Sequence, residues 1–261
     1  MSEPYVHAHY EPVRRKLRFW IRVVTGLLVK TDKFEGVENV PLAGPLILYG
    51  NHIALIDPIM IIHALPRNII PLAKIETYAY PLIGIFPKLW HVIPVRRGEV
   101  DREALRACLD ALAAGEIIWI APEGTRRPAF EEAKDGLAYI ASRSGAPLLP
   151  IAVDGTIGFP ALPFSKRWKG PGVHLKFGRP FHFKSGARPP ARTHLHLQQA
   201  VSPRRAPGPN GVQVSGRCGR GELAQMTAEA MYILAAMLPP ERRGVFADLS
   251  RATQETIEWL V

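Results

Sequence analysis

Cysteine is scarce in this chain of 261 residues, which contains only Cys108 and Cys218. Two cysteines so far apart provide no disulfide framework and match no metal-ligand spacing. The chain also lacks an uninterrupted apolar run of about 18 residues, the length that a membrane-spanning helix requires. Its first 12 residues contain no apolar core, so we expect no signal peptide. These absences favour a protein of a reducing compartment.

The composition is that of a folded protein with a basic surface. Apolar residues make up 47% and charged residues 21% of the chain, which favours a sizeable core in one domain or in one domain with an appendage. A net charge of +10 favours an anionic partner, such as nucleic acid, anionic lipid or a phosphorylated substrate. The charge is spread along the chain without a recognition motif, so we expect no nucleic-acid partner.

Residues 12–30 interleave Arg and Lys with large apolar side chains. At helical spacing, six of them form one apolar face: Leu17, Trp20, Ile21, Val24, Leu27 and Leu28. Basic residues flank this face, which is typical of a helix in a membrane interface, and each one contributes on the order of 1 kcal/mol near an anionic leaflet. The alternative is an ordinary amphipathic helix docked on the core. We favour an N-terminal membrane-associating segment over residues 1–33.

After Gly36 the pattern alternates between strands and short helices. Helices are predicted at 101–114 and 135–144, strands at 45–50, 68–74, 91–98, 147–153 and 173–178, and a strand that runs into a turn over 116–127. This alternation predicts an α/β fold with a largely parallel sheet flanked by helices, over residues 34–186. Ligands of such sheets bind at the carboxyl ends of the strands, where NHIALID, VRRG and PEGTRR would meet.

The C-terminal third changes in style. Residues 187–221 are rich in Pro, Gly and Arg and show no period, which predicts a loop or a disordered insertion. Helical periodicity returns at 222–238 and again from 242 to the end, so residues 222–261 are predicted to form C-terminal helices.

The stretch LILYGNHIALIDP, residues 46–58, carries the strongest chemical signal. A carboxylate can orient an imidazole that acts as a general base, and a turn over residues 53–56 would bring Asp57 within reach of His52. Two alternatives stay open at this point. Asp57 followed by Pro58 is also a common helix start, and a histidine after a strand is often a structural hydrogen-bonding residue.

The stretch PEGTRR, residues 122–127, follows a predicted strand. Gly124 offers a flexible backbone, Thr125 a hydroxyl, and Arg126 and Arg127 guanidinium groups that can pair bidentately with phosphate. A solvated surface turn is the alternative for such a stretch alone. Its position after an upstream NHxxxxD strengthens the functional interpretation.

Together these motifs resemble those of the glycerolipid acyltransferase family, the 1-acylglycerol-3-phosphate acyltransferases. Asn51-His52 with Asp57 match its NHxxxxD motif, and Glu123 to Arg126 match its EGTR motif. Arg97 in VIPVRRG, Pro150 in LLPIAV and Lys74 resemble weaker family features. The resemblance covers roughly residues 34–180. Two departures are Arg127, where the family usually has Ser, which predicts a more basic pocket, and the 187–221 segment, which has no family counterpart.

The resemblance implies an enzyme of phospholipid biosynthesis. It would move an acyl group from acyl-CoA or acyl-carrier protein to the hydroxyl of 1-acylglycerol-3-phosphate, giving phosphatidic acid, with no metal and no cofactor. His52 and Asp57 would be catalytic, with Glu123 orienting Arg126. The substrate-binding residues would be Lys74, Arg97, Glu123, Gly124, Thr125 and Arg126. Residues 77–90 are candidate walls of a tunnel for the acyl chain.

The expected location is the cytoplasmic face of a membrane, on an anionic surface, as a peripheral or monotopic protein. Rival functions are an acyltransferase for another lysolipid and a non-catalytic lipid-binding protein, although the latter would not need both His52 and Asp57. A serine hydrolase is disfavoured because the chain contains no G-x-S-x-G motif.

Overall fold

The computed structural model describes residues 7–81, 84–98, 100–158, 169–184 and 219–260. Most of the predicted 187–221 insertion lies outside the described residues, although its last two residues already belong to a helix. The described elements are strands β1 (Thr31–Glu35), β2 (Leu46–Gly50), β3 (Ile69–Lys74), β4 (Ile93–Val95), β5 (Ile117–Ile120), β6 (Leu148–Asp154), β7 (Val173–Phe177), β8 (Phe181–Phe183) and β9 (Ile257–Trp259), and helices α1 (His7–Leu28), α2 (Asp57–Ala64), α3 (Ile85–Trp90), α4 (Arg102–Ala113), α5 (Gly136–Ser144) and α6 (Arg220–Ala236).

The strands form one sheet in the order β1-β7-β6-β2-β5-β3-β4, with β8 and β9 paired beside β6. The five neighbours β6, β2, β5, β3 and β4 are all parallel. Strand β7 runs antiparallel to β6, and β8 is antiparallel to both β6 and β9. The predicted α/β fold with a largely parallel sheet is therefore confirmed. The carboxyl ends of the five central strands meet at one edge, where the predicted motifs follow β2, β4 and β5.

Alternating side chains divide the core into two layers on the faces of the sheet. On β2, Ile47 and Tyr49 pack in the layer with α4, α5 and α6, whereas Leu46 and Leu48 pack in the opposite layer with α2 and α3. Strand β5 follows the same rule, so Trp119 belongs to the second layer. Because both faces are covered, the central strands consist of continuous apolar residues, as expected for a parallel sheet.

Helix α1 docks on the second layer through arginines spaced four residues apart. Arg14 is fully buried; its Nη1 lies 3.0 Å from Oε1 of the buried Glu116, and its Nε donates to the Trp90 carbonyl oxygen at 2.9 Å. Arg18 donates to the carbonyl oxygen of Pro66, and Arg22 donates to those of His63 and Leu65. These three arginines therefore bind the protein's own backbone.

The predicted apolar face of α1 is split in two by this docking. Leu17 and Ile21 pack against the core beside the arginines. The other side of the helix exposes large apolar side chains, with Phe19 and Trp20 each 61% exposed and Leu27 65% exposed. Val23 and Val24 extend the same stripe. None of the described helices is both long enough and apolar enough to cross a membrane.

The predicted helix from residue 242 to the end is wrong. Short 3-10 turns, Pro240–Arg242, Gly244–Phe246 and Leu249–Arg251, lead instead into β9, which pairs with β8. The buried carboxylate of Glu229 on α6 holds this segment by accepting hydrogen bonds from the Thr253 hydroxyl at 2.8 Å and the Thr256 amide at 2.9 Å. Such a contact between distant residues overrides the local helical pattern.

The strand predicted at 91–98 is shorter, Ile93–Val95. His91 ends α3 with a left-handed backbone, at φ 58°, and Gly98 has a φ of 92° in the turn toward α4. Strand β1 also begins at Thr31, three residues before the predicted start of the core.

The buried Arg14–Glu116 pair generates a stability prediction. R14A should lower the free energy of unfolding by about 3 kcal/mol, because it removes the cation facing a buried carboxylate. The double variant R14M/E116L should recover most of that loss, since no buried charge then lacks its counter-ion. Urea denaturation of the two variants and the wild type measures both effects. Equal stability of R14A and the wild type would show that the pair does not anchor α1.

Candidate active site

The end of β2 is locked to β6 by Asn51. The side-chain nitrogen Nδ2 of Asn51 donates to the Val153 carbonyl oxygen, and the backbone amide of Val153 donates back to Asn51 Oδ1, both at 2.8 Å. Gly50 lies so close to β6 that a Cβ atom there would be 2.4 Å from the Ile151 carbonyl oxygen. Asn51 and Gly50 thereby fix where the chain leaves the sheet and where His52 begins.

The predicted contact between His52 and Asp57 is present. Imidazole Nδ1 lies 2.8 Å from Asp57 Oδ2, and the same oxygen accepts hydrogen bonds from the Ile53 amide at 2.7 Å and the Ala54 amide at 2.9 Å. Helix α2 does begin at Asp57 with Pro58 in its first turn, but Asp57 Oδ2 accepts from the turn before the helix and Oδ1 has no hydrogen-bond partner among the described residues. The carboxylate reaches back over the turn, which supports the orienting role over a helix-capping role.

The second edge of the imidazole faces an open cavity. Trp119 on β5 packs edge-on against the ring, with centroids 5.2 Å apart and planes at 87°. The Arg127 amide donates to the His52 carbonyl oxygen at 3.0 Å, which ties the loop after β5 to the loop after β2. Imidazole Nε2 makes no hydrogen bond to any described residue, and His52 lines the cavity. The ring is therefore held on one side and accessible on the other.

The cavity has a volume of about 1310 Å³ and has a polar and an apolar part. The polar part contains His52 and the cations Lys74, Arg97, Arg126 and Lys134, and the lining also includes Arg96, Arg102 and Arg106. The apolar part runs between α4 and α5 to α6 and is walled by Leu105, Cys108, Leu109, Leu137, Ile140 and Leu223. The predicted wall at residues 77–90 contributes some of the lining, through Thr77, Tyr80, Phe86 and Pro87, but the helices contribute more of it.

The two arginines that follow β4 differ in their partners. Arg96 pairs with Glu103, with 2.9 Å between Nη1 and Oε2, whereas Arg97 has no ion pair with a described residue. Burial lowers the pKa of Arg97, and the nearby Arg126 guanidinium lowers it further. The Arg97 guanidinium thus lines the cavity without an ion pair to a described residue. Lys74 lies 3.9 Å from Glu76, at the limit of an ion pair.

The EGTR residues are placed differently from one another. Gly124, with a φ of 68°, and Arg126 line the cavity, whereas Thr125 is half-buried and lies outside the lining. The expectation that Glu123 orients Arg126 is wrong, because the buried Glu123 carboxylate accepts instead from the Glu131 amide at 3.2 Å. Burial raises the pKa of Glu123 to about 7.

The expectation that Arg127 makes the pocket more basic is also wrong. Its guanidinium forms an ion pair with Glu131, and Arg127 does not line the cavity. Lys134, which sequence reasoning did not select, brings the further cation into this part of the cavity.

Two residues with a role in this geometry, Trp119 and Lys134, were missed, and Asn51 was matched to the NHxxxxD motif without a role. That role could have been predicted, because a side-chain amide that directly follows a buried strand can take the place of a backbone hydrogen-bonding pair. The position of Trp119 near the end of β5 was a signal for a contact at the carboxyl edge. Within the described ranges, no three His, Cys, Asp or Glu side chains converge as a bound metal ion would require.

Comparisons with known proteins agree with the motifs. The family model described as Acyltransferase matches residues 32–154, which include the NHxxxxD and EGTR motifs and the cations Lys74, Arg97 and Lys134. A Bacillus subtilis protein named 1-acyl-sn-glycerol-3-phosphate acyltransferase is 30% identical over 164 residues, or 62% of this chain and 80% of that protein. A Borreliella burgdorferi protein of the same name is 33% identical over 48% of this chain, which spans 51% of that relative.

A solved structure adds a comparison of the fold. The crystal structure of the 1-acyl-sn-glycerophosphate (LPA) acyltransferase PlsC from Thermotoga maritima matches with a TM-score of 0.52 and 28% identity. The match covers 65% of this chain and 70% of that one. The similarity in sequence and in fold therefore extends over most of the described sheet.

The raised pKa of Glu123 predicts a pH-dependent contribution to stability. Between about pH 4.5 and pH 7 the folded state holds a proton that the unfolded state releases, so the free energy of unfolding falls as pH rises through this range. Each unit of pKa difference corresponds to about 1.4 kcal/mol. E123Q should therefore gain stability relative to the wild type from pH 5 to pH 8, as measured by the difference in Tm. A difference that is the same at both pH values would contradict the prediction.

Proposed function

The chain belongs to the acyltransferase family and is an O-acyltransferase, and we propose that its acceptor is 1-acylglycerol-3-phosphate, with phosphatidic acid as the product. The observation that carries this proposal is the His52–Asp57 pair, which opens into a cavity with cations in one part and an apolar wall in the other. An amphiphilic acceptor with a phosphate and a hydroxyl fits such a cavity. The names of the relatives support the same acceptor.

In the proposed mechanism His52 is a general base. Its Nε2 takes the proton from the acceptor hydroxyl as the oxygen attacks the thioester carbonyl carbon, forming a tetrahedral intermediate. The intermediate collapses, the carbon–sulfur bond breaks, and the imidazolium returns its proton to the leaving thiolate. Asp57 holds Nδ1–H and stabilises the imidazolium without becoming protonated itself. Such assistance is worth about 10²–10⁴ in rate.

The cations of the polar part account for selection of the acceptor. Arg97 and Arg126 lie close enough for one to lower the pKa of the other, and neither has a carboxylate partner among the described residues. A phosphate between them would relieve that repulsion and accept bidentate hydrogen bonds. Lys74 at the end of β3 adds a third cation. This arrangement would hold the acceptor hydroxyl beside His52.

The apolar part of the cavity would hold an acyl chain. Its wall consists of aliphatic side chains of α4 and α5, closed by Leu223 of α6. The donor in this proposal is an acyl thioester, either of CoA or of an acyl-carrier protein. Two substrates and His52 account for the acyl group, the proton and the electron pair, so the scheme contains no cofactor.

We further propose that the protein acts at a membrane surface as a peripheral protein. The exposed stripe of α1 supports this location, because its arginines are used for docking and its large apolar side chains point away from the core. The cavity mouth carries exposed apolar side chains of its own, namely Leu55 and Tyr80. Both features suit substrates that reside in a bilayer.

The first prediction concerns turnover. Thiol release from palmitoyl-CoA should require both lysophosphatidic acid and His52, so H52A should lose at least about 10²-fold in kcat. The measurement is thiol formation with and without acceptor, with circular dichroism to show that H52A is folded. Release without acceptor would indicate a thioesterase. Release only with another lysolipid would mean that this lysolipid, and not 1-acylglycerol-3-phosphate, is the acceptor. Activity retained by H52A would remove the general-base assignment.

The second prediction concerns the membrane. The triple variant F19S/W20S/L27S should bind vesicles containing anionic lipid at least about tenfold more weakly, because it removes three exposed apolar side chains from the stripe. L42S is the matched control, since Leu42 is 80% exposed and lies before β2, outside α1. Vesicle sedimentation measures both variants. Undiminished binding of the triple variant would mean that α1 does not anchor the protein.

A further inference from the structure

Lys134 is a cation of the cavity that the mechanism above does not use. It lies between β5 and α5, and its backbone amide donates to the Pro122 carbonyl oxygen at 3.0 Å. The Glu131 amide binds the Glu123 carboxylate in the same loop, so two hydrogen bonds close the loop that carries the EGTR residues. The backbone of Lys134 is therefore held beside that loop although its side chain is exposed.

The Lys134 side chain lies over Gly124. A Cβ atom at residue 124 would lie 3.7 Å from Lys134 Nζ and 3.8 Å from its Cε, which is ordinary van der Waals contact. The ammonium therefore lies beside the glycine of the motif, and it shares the space over that glycine with any ligand that approaches the backbone there.

Some cations in and near the cavity have carboxylate partners, and others have none. Arg96 and Arg127 have carboxylate partners, Glu103 and Glu131. Arg97, Arg126 and Lys134 have none among the described residues, and all three line the cavity. Unpaired cations that share a cavity repel one another, and a bound anion offsets that repulsion. A phosphate monoester carries a charge of roughly −1.5 to −2 at pH 7, which is less than the summed charge of Arg97, Arg126 and Lys134. The carboxylates of Asp101, Asp110 and Asp135 also line the cavity.

We propose that Lys134 is a further binding residue of this site, whose ammonium binds a phosphate group of a substrate. The inference rests on the proposed function and extends it beyond the family motifs. Two sources supply that chemistry: the phosphate of the acceptor, and the phosphates of the donor's CoA or phosphopantetheine part. The loop that carries Lys134 also carries Arg126, so the ammonium and the guanidinium can bind either the same phosphate or two neighbouring ones.

The test compares K134A, K134R and K176A. Lys176 is an exposed lysine of β7 that does not line the cavity, and its replacement is the matched control. K134A should raise the KM of one substrate about tenfold, the loss expected for one charged hydrogen bond, with kcat changed by less than about threefold. K134R, which keeps the charge, should recover part of the loss, and K176A should behave like the wild type.

The affected substrate identifies the source of the phosphate. A raised KM for lysophosphatidic acid with an unchanged KM for palmitoyl-CoA would assign Lys134 to the acceptor, and the reverse would assign it to the donor. A monoacylglycerol, which lacks the phosphate, should bind K134A and the wild type equally if the acceptor is the source, whereas a general disturbance of the loop would weaken its binding too.

Direct binding separates this inference from the proposed function. Calorimetric titration of palmitoyl-CoA and of lysophosphatidic acid reports a weaker Kd in K134A even if the wild type fails to turn these substrates over. Kd and KM values for both substrates within twofold of those of K176A would overturn the role of Lys134. Equal weakening of the phosphate-free lipid would overturn it as well.

Discussion

Three donors converge on one buried oxygen of Asp57, and the geometry of the site depends on that convergence. Two of them are backbone amides of the turn that separates His52 from Asp57, so the carboxylate both shapes the turn and orients the ring. Burying a charged carboxylate is costly unless it is hydrogen-bonded, and the three hydrogen bonds to Oδ2 offset part of that cost. The other oxygen, Oδ1, is buried without a partner among the described residues. The spacing of five residues returns the chain so that Oδ2 reaches Nδ1.

The cations of the protein differ in whether a carboxylate neutralises them. Glu131 neutralises Arg127 in the loop after β5, and Glu116 neutralises Arg14, the buried arginine of α1. The cations left without such partners line the cavity. Part of the net charge of +10 thus lies at the cavity, as cations without carboxylate partners at the place where an anionic ligand would bind. An additional cation was predicted in the pocket at Arg127, and the structure has Lys134 there instead.

Sequence reasoning recovered what depends on local pattern and failed where distant contacts decide. The strands of the parallel sheet and the His52–Asp57 contact follow from periodicity and from a short spacing, which one segment carries by itself. The fate of residues 242–260 depends on Glu229, a buried carboxylate on α6 that no local pattern connects to β9. Likewise, the Glu123 carboxylate binds the Glu131 amide and not Arg126, because the loop after β5 folds back on itself. No pattern in the sequence predicts that hydrogen bond.

Helix α1 has features of both alternatives considered for it, since it docks on the core and also exposes an apolar stripe. An amphipathic helix docked on a core normally buries its apolar side, because apolar burial supplies most of the stabilisation. Here guanidinium groups bind backbone carbonyls at the ends of core elements, and one of them is fully buried against Glu116. Polar docking of this kind leaves Phe19, Trp20 and Leu27 outside, where water is a poor environment for them. The helix is therefore held to the protein by hydrogen bonds and an ion pair together with the packing of Leu17 and Ile21, and its other apolar side stays exposed.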